Sequence, residues 1–582
     1  MKLRSALEPR RAAIVAWCAA ACFALIRLAW LGADPLPWVE LDFITDEGWY
    51  SLNARNHALF GRWALDEHNV ALALCPAHTL ALRASYALFG VSFWSTRLVG
   101  AAASVATVLL VAVRLRRRPL VAAGAAALIA TQPILFGTAR VAFCESLQLF
   151  FLAAAWFLVT RPEPRRRDWL AAGAAASLAV LSKATAAWAV AFVLAAPFLH
   201  PLETSRRRRV LDGACAACGL ALGVLAVLPF GRDWLPLALL ESSRESSVLW
   251  RGEGLPKGPA LAFLAGMTTG PFQSKLGFWL GVLPLAAVAG ATAARRVLTI
   301  PGEQSRGDVE SRMALAWLVL SYAFLSLRHT APLGYRYWGN LLPPLAVLAC
   351  TSLEHRVPAP ASRLRTWAAL CALVVGPALA AREALLPALL RASPTEHLER
   401  AGFVAALLPA AVLALLAHRL DVARRVRDAP RLLAVCAAGC IILGAATIAT
   451  PLARRTYTIR DTARALSSAP GVAVLAGDVA NTMALETPYR AFVWRDLARL
   501  GLGTGWVNGD WRARGATHCV AASPASTPFH DVWCPPGATL VSSAGMSPSM
   551  SGDLRLRFDL ASLETARGPT FPAERRQRSR SP

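Results

Sequence analysis

Apolar runs long enough to cross a membrane recur through most of the chain, from Ala12 to about Thr450. Each holds roughly 17 to 25 residues, the length a helix needs to traverse a ~30 Å hydrocarbon core. Inside hydrocarbon the backbone must satisfy its own hydrogen bonds, so such runs become helices. The chain therefore reads as an all-α polytopic membrane protein. Its composition agrees, because 55% of the 582 residues are hydrophobic and only 17% are charged.

The formal net charge of +25 raises the question of nucleic acid. The basic residues, however, sit in short loops between the apolar runs: RLRRRP (Arg114–Pro119), RPEPRRRD (Arg161–Asp168), ETSRRRR (Glu203–Arg209) and HRLDVARRVRD (His418–Asp428). Short cytoplasmic loops carry such an excess, so the charge reports topology, and no nucleic-acid partner is expected. Four Lys stand against 57 Arg, a skew that fits GC-rich coding. The N-terminal tail, with Lys2, Arg4, Arg10 and Arg11, is placed inside, and Ala12–Leu31 is read as a retained anchor because no short cleavable leader precedes it.

Alternation from there predicts about thirteen spans, with the N-terminus cytoplasmic and the C-terminus outside. In a bacterial inner membrane that side is the periplasm. The third span is expected as one run, Leu120–Phe136. Trp169–His200 is too long for one span at 1.5 Å per residue. It is divided near Ser182-Lys183-Ala184-Thr185, which keeps the Glu203–Arg209 loop inside. Lys183 then lies at the outer end of a helical hairpin; a Lys snorkelling from mid-membrane is the alternative.

Residues 1–450 form the expected transmembrane domain. Its first outer loop, 33–92, has two segments of helical spacing, Gly48–Phe60 and Ala77–Phe89, which suit short helices in the interface. A second large outer loop covers 231–274. Residues 451–570 are mixed and polar, with a helix at Thr462–Ser468 and strands at Gly471–Gly477 and Leu554–Leu560, a small outer α/β domain. Residues 571–582 read as disordered. Most of the twelve Cys lie in or beside spans as small core residues. Cys519 and Cys534 fall in the outer domain, where an oxidising compartment makes a disulfide plausible and the spacing matches no zinc pattern.

The residues capable of chemistry collect on the outer side. Asp46 and Glu47 open the first outer helix. An acid there can stabilise the helix N-terminus or act as a general base toward an attacking hydroxyl or amine. Glu145 opens the fourth span. Lys183, Arg140 and Arg336 are cations at the same level, suited to a lipid phosphate. Tyr50, Tyr335, Tyr337 and Trp338 are aromatics that stack on sugar faces or sit in the interfacial belt. His78 lies in the polar CPAHT stretch. Motifs for nucleotide binding, zinc hydrolysis and esterase chemistry are absent.

With these residues laid out, the chain resembles the GT-C superfamily of membrane glycosyltransferases, in particular its protein O-mannosyltransferase-like and aminoarabinose-transferase-like branch. The resemblance rests on ITDEGWYSLNARNHALFGRW, on Pro76 followed by LFGVSFWSTRLVGAA, and on ARVAFCESLQLFF, LAVLSKATA and RYWGNLLPPLAVLA. It covers about Asp42–Ala349, in the family's order. It implies a sugar donor carried on a polyprenyl phosphate, transfer at the outer face with inversion, a lipid, glycan or protein acceptor, and no nucleotide sugar. Asp46 falls on the family's catalytic acid, Glu145 on a second-loop acid that is usually Asp, Lys183 on a basic residue near the donor phosphate, and Arg336-Tyr337 on a donor-side motif. A Lys often found before the first-loop proline is replaced by Leu74-Cys75. No cofactor is implied, and a divalent metal is not required by the sequence. A transporter or flippase for a lipid-linked or anionic substrate is the rival class; it calls for internal repeats and broken helices at mid-depth, and no clear repeat is found.

Overall fold

The computed structural model describes residues 2–36, 43–63, 71–200, 205–228, 308–328, 335–353 and 429–453, then parts of the C-terminal region: 455–467, 471, 474–477, 479–492, 516–524, 539–545 and 556–562. The spans expected at Leu276–Ala294, Trp367–Ala380 and Ala401–Ala417, the 231–274 loop and the terminal tail lie outside the described residues. The contacts divide the chain into two compact units, Met1–Leu31 with Ala73–His78 and Arg97–Arg454, and Gly32–Leu72 with Thr79–Thr96 and Arg455–Pro582.

The first unit is helical. It holds α1 (Lys2–Ile26) and, after the first outer loop, most of α5 (Phe93–Arg114), then α6 (Pro119–Ala130), α7 (Pro133–Ala139), α8 (Cys144–Val159), α9 (Arg166–Ser182), α10 (Trp188–Leu199) and α11 (Arg206–Val227). Beyond residue 307 come α12 (Asp308–Arg328), α13 (Tyr335–Trp338), α14 (Leu342–Leu353) and α15 (Ala429–Ala453). Among the described residues three helices are long and apolar enough to cross a membrane, with α6 and α7 a fourth if that bent pair is one span.

The third span is thus not the single run expected from Leu120 to Phe136. It breaks at Thr131-Gln132 and turns by 59°, because Pro133 opens a new helix at N1, where its missing N–H costs nothing. The division of Trp169–His200 falls where the spacing put it: α9 ends at Ser182, Lys183 is extended, and a 3-10 turn over Ala184–Ala186 leads into α10. The core is built from Trp156, Trp169, Trp317 and Phe192. Where α9 meets α11, a Cβ on Gly219 would stand 1.9 Å from the Leu170 carbonyl oxygen, and one on Gly173 2.0 Å from that of Ala216. Only glycine lets two backbones approach so closely, the usual device of apolar helix pairs.

The second unit joins the segment between α1 and α5 to the C-terminal region. It contains α2 (Phe43–Phe60), α3 (Ala71–Leu74, as far as Leu72), most of α4 (Pro76–Phe89), α16 (Thr458–Ser467), α17 (Ala480–Met483) and five strands, β1 (Val474–Ala476), β2 (Arg490–Phe492), β3 (His518–Pro524), β4 (Thr539–Gly545) and β5 (Leu556–Ser562). The sheet order is β2-β1-β3-β5-β4. β1 pairs parallel with β2 and β3, and β3, β5 and β4 pair antiparallel. Asp34 ties the two halves of the unit together. Its carboxylate accepts from the backbone of Thr458 (2.8 Å) and Ile459 (2.9 Å) at the start of α16, and from the Thr456 hydroxyl (2.6 Å), the bonding of a helix cap. Cys519 is disulfide-bonded; its expected partner Cys534 lies outside the described residues.

Candidate active site

In the first unit, four of the sequence-selected residues come together where the helices break. Lys183 is freed from helix geometry at the α9 break and reaches the first turn of α8, where its Nζ lies 2.5 Å from Glu145 Oε1. Arg336, on the single turn α13, approaches the same oxygen with Nε at 3.4 Å. It also donates to the Tyr337 hydroxyl at 3.2 Å. The side chains of all three charged residues are at most 12% exposed. Two cations thus share one buried carboxylate, which leaves the trio with one net positive charge. The aromatic faces fit that charge: Lys183 Nζ stands 4.6 Å from the Tyr337 ring centre, and the Arg336 guanidinium 4.7 Å from that of Phe143. Such contacts favour cations in desolvated places. Gln148 bridges α8 to the 3-10 turn by donating to the Thr185 hydroxyl at 3.1 Å.

His78, in the first turn of α4 and outside the spans, is fully buried. It meets the backbone of Ala142 and feels both Glu145 and Lys183. Burial pushes its pKa down to about 4, against the opposing pull of the Glu145 carboxylate, so its imidazole is neutral at physiological pH. The Ala142–Cys144 turn and Gln148 carry no motif of their own in the sequence; their signal is only adjacency to Glu145.

Arg140 goes elsewhere. Its guanidinium caps the C-terminal end of α1, donating to the carbonyls of Ile26, Arg27, Ala29 and Trp30 at 3.2, 3.3, 2.5 and 2.7 Å. These carbonyls lie at and beyond the last turn of α1, and a cation there also meets the negative end of the helix dipole. Arg140 was expected to face a lipid phosphate; in this structure its donors engage the end of α1. Arg27 plays the matching part for α6, donating to Ile129 and Ala130 at 2.9 Å each, and the two guanidiniums lie over the same Phe136 ring.

In the second unit the adjacent acids separate. Asp46 is half-buried in the first turn of α2, whereas Glu47 is fully buried. Glu47 shares its surroundings with Arg55 and Tyr86, and burial raises the Tyr86 phenol while lowering Arg55 to about 10. Tyr50 packs edge-on against Trp49 at 5.1 Å. The expectation of an interfacial helix with one apolar face does not hold for α2, since every residue from Ser51 to Asn56 is buried. Several of its polar groups are answered from within the unit. Asn53 donates to the Trp63 carbonyl and accepts from the Leu72 amide, both at 2.9 Å, and the Arg83 guanidinium donates to His57 Nδ1 at 2.7 Å. Among the described residues no group of three His, Cys, Asp or Glu side chains gathers as metal ligands.

Comparison with known proteins bears on the first unit above all. Residues 74–231 match the family of dolichyl-phosphate-mannose-protein mannosyltransferases. No curated protein matches the chain in sequence. Among solved structures, ArnT from Cupriavidus metallidurans in the apo state is 18% identical, with 93% of this chain and 97% of that one covered and a TM-score of 0.49. The same protein bound to undecaprenyl phosphate is again 18% identical, with 96% and 99% covered and a TM-score of 0.49. Arabinosyltransferase EmbB from Mycobacterium smegmatis is 16% identical, with 76% of this chain and 41% of that one covered and a TM-score of 0.46. The matched stretch, residues 74–231, holds His78, Arg140, Glu145 and Lys183, and over it the chain is similar to the dolichyl-phosphate-mannose-protein mannosyltransferases.

Proposed function

We propose that the protein transfers a sugar from a polyprenyl-phosphate donor to a lipid, glycan or protein acceptor at the outer face of the membrane, with inversion. The observation that carries this reading is the pair of cations, Lys183 and Arg336, set against the single carboxylate of Glu145. A net positive charge in a poorly hydrated place suits a phosphate that gains charge as it leaves. Arg140, engaged with α1, is left out of that role.

Chemically, the reaction is a displacement. The acceptor O–H or N–H gives its proton to the Asp46 carboxylate, and the freed lone pair forms the new bond to the anomeric carbon. The bond from that carbon to the phosphate oxygen breaks, and its electron pair stays on the polyprenyl phosphate. Of the two adjacent acids Asp46 is the better base, because Glu47 is wholly enclosed. No metal or cofactor is required by these steps. His78, neutral and beside Glu145 and Lys183, is read as a positioning group. The site belongs to an inner-membrane protein with its N-terminus inside.

The test is a transfer assay in proteoliposomes with a panel of labelled polyprenyl-phosphate sugars and native membrane extract as acceptor. Wild type should give labelled product with one donor class, and Asp46→Asn should give none. Equal product from both would remove Asp46 from the chemistry; no product with any donor from folded protein would refute the transfer reading and favour a flux assay for a transporter.

A further inference from the structure

The acid-bearing helix α2 is held by the C-terminal half of its own unit at two points. The Gly48 amide donates to the Thr482 hydroxyl at 3.0 Å. The backbones there are so close that a Cβ on Gly48 would lie 2.2 Å from the Thr482 nitrogen and 2.5 Å from the Asn481 carbonyl carbon. Seven residues on, Arg55 Nη2 donates to the carbonyls of Thr487 and Tyr489, both at 2.7 Å. At about 100° per residue, seven residues bring the helix back to within about 20° of the same face. Leu52, between them on that face, is 1% exposed. Asp46 lies roughly 200° round the helix from Gly48, on the side turned away from this seam.

We infer that the segment 480–489 of the C-terminal region is a positioning clamp for Asp46, with Gly48, Thr482 and Arg55 as positioning residues. The two points of attachment, two turns apart, fix both the height and the rotation of α2. Rotation by one residue would exchange Asp46 for Glu47 at the reacting side. Arg55 suits the second point because its charge strengthens bonds to carbonyls that lie outside regular pairing. A displacement of about 1 Å at a catalytic group can cost on the order of a hundredfold in rate, so the clamp acts on turnover, whereas donor affinity belongs to Lys183 and Arg336. The inference rests on the reading of Asp46 as the base.

Full-length Thr482→Val and Gly48→Ala would be compared with wild type and Asp46→Asn in proteoliposomes, by steady-state transfer and by hydrogen exchange of the α2 amides. Thr482→Val removes the acceptor for Gly48 and keeps the side-chain shape, so it should fold even if Gly48→Ala does not. For Thr482→Val the expected result is faster exchange in α2, a kcat lower by about tenfold, an unchanged donor KM and a Tm lowered by no more than the loss of one buried hydrogen bond. Faster exchange with unchanged kcat, while Asp46→Asn is inactive, overturns the clamp and leaves the base in place. Unchanged exchange overturns it as well, and so does a kcat loss that only follows a fall in Tm. Turnover retained by Asp46→Asn overturns the base itself and, with it, the clamp.

Discussion

At the scale of single residues, the Glu145 trio predicts unequal effects of its members. Glu145→Gln leaves two buried cations without their carboxylate, which should cost about 3–5 kcal/mol of stability and show as a clear fall in Tm. Lys183→Met still leaves Arg336 on Glu145; it should lower Tm less and raise donor KM by roughly tenfold, about 1.4 kcal/mol. A larger Tm loss for Lys183→Met than for Glu145→Gln would contradict the shared-carboxylate arrangement. His78 adds a pH dependence. Its folded pKa, about 4, lies below the ordinary 6.5, so between those values the unfolded chain binds the extra proton. Stability is then complete above about pH 6.5 and falls toward pH 4, with a slope of up to roughly 1.4 kcal/mol per pH unit. In His78→Gln the Tm should depend less steeply on pH across that window. The meeting of Glu145, Lys183 and Arg336 was legible in the sequence because ionisable groups beside spans need a reason. Arg140 looked the same and was not, since nothing in its neighbourhood says that the end of α1, over a hundred residues earlier, takes up its donors.

At the scale of elements, packing of α9 against α11 depends on glycine at the crossing. Gly219→Leu would drive a side chain into the backbone at Leu170 and should destabilise by at least the 1–3 kcal/mol of an overpacked core, read as lower thermal stability in detergent. Gly439→Leu, with open space around its Cβ position, is the matched control and should change little. The break at Lys183 could be placed from the sequence because length and charge parity both required it. The break at Thr131-Gln132 could not, although Pro133 was in view, because Leu120–Phe136 has a plausible length for one span and no charge marks its middle. Short strands such as Arg490–Phe492 carry too few residues to show a period.

At the scale of the molecule, the second unit is discontinuous, made from residues 32–72, 79–96 and 455–582. The change of composition at residue 451 was visible in the sequence. The union of the C-terminal region with the first outer loop was not, since local patterns do not record long-range pairing. A chain ending at Arg454 would lack the partners of Gly48 and Arg55. Limited proteolysis from the outer side should then cut within 43–96 where the full chain resists, and equal resistance would show that the loop holds itself.

The separation of 432 positions from Arg55 to Thr487 also sets an order of events during synthesis. At about 5–20 residues per second, the acid-bearing helix is made roughly 20–90 seconds before the segment that fastens it. Until the last part of the chain arrives, Gly48 and Arg55 lack their partners, so on the proposed reading transfer activity should begin only when translation is all but finished.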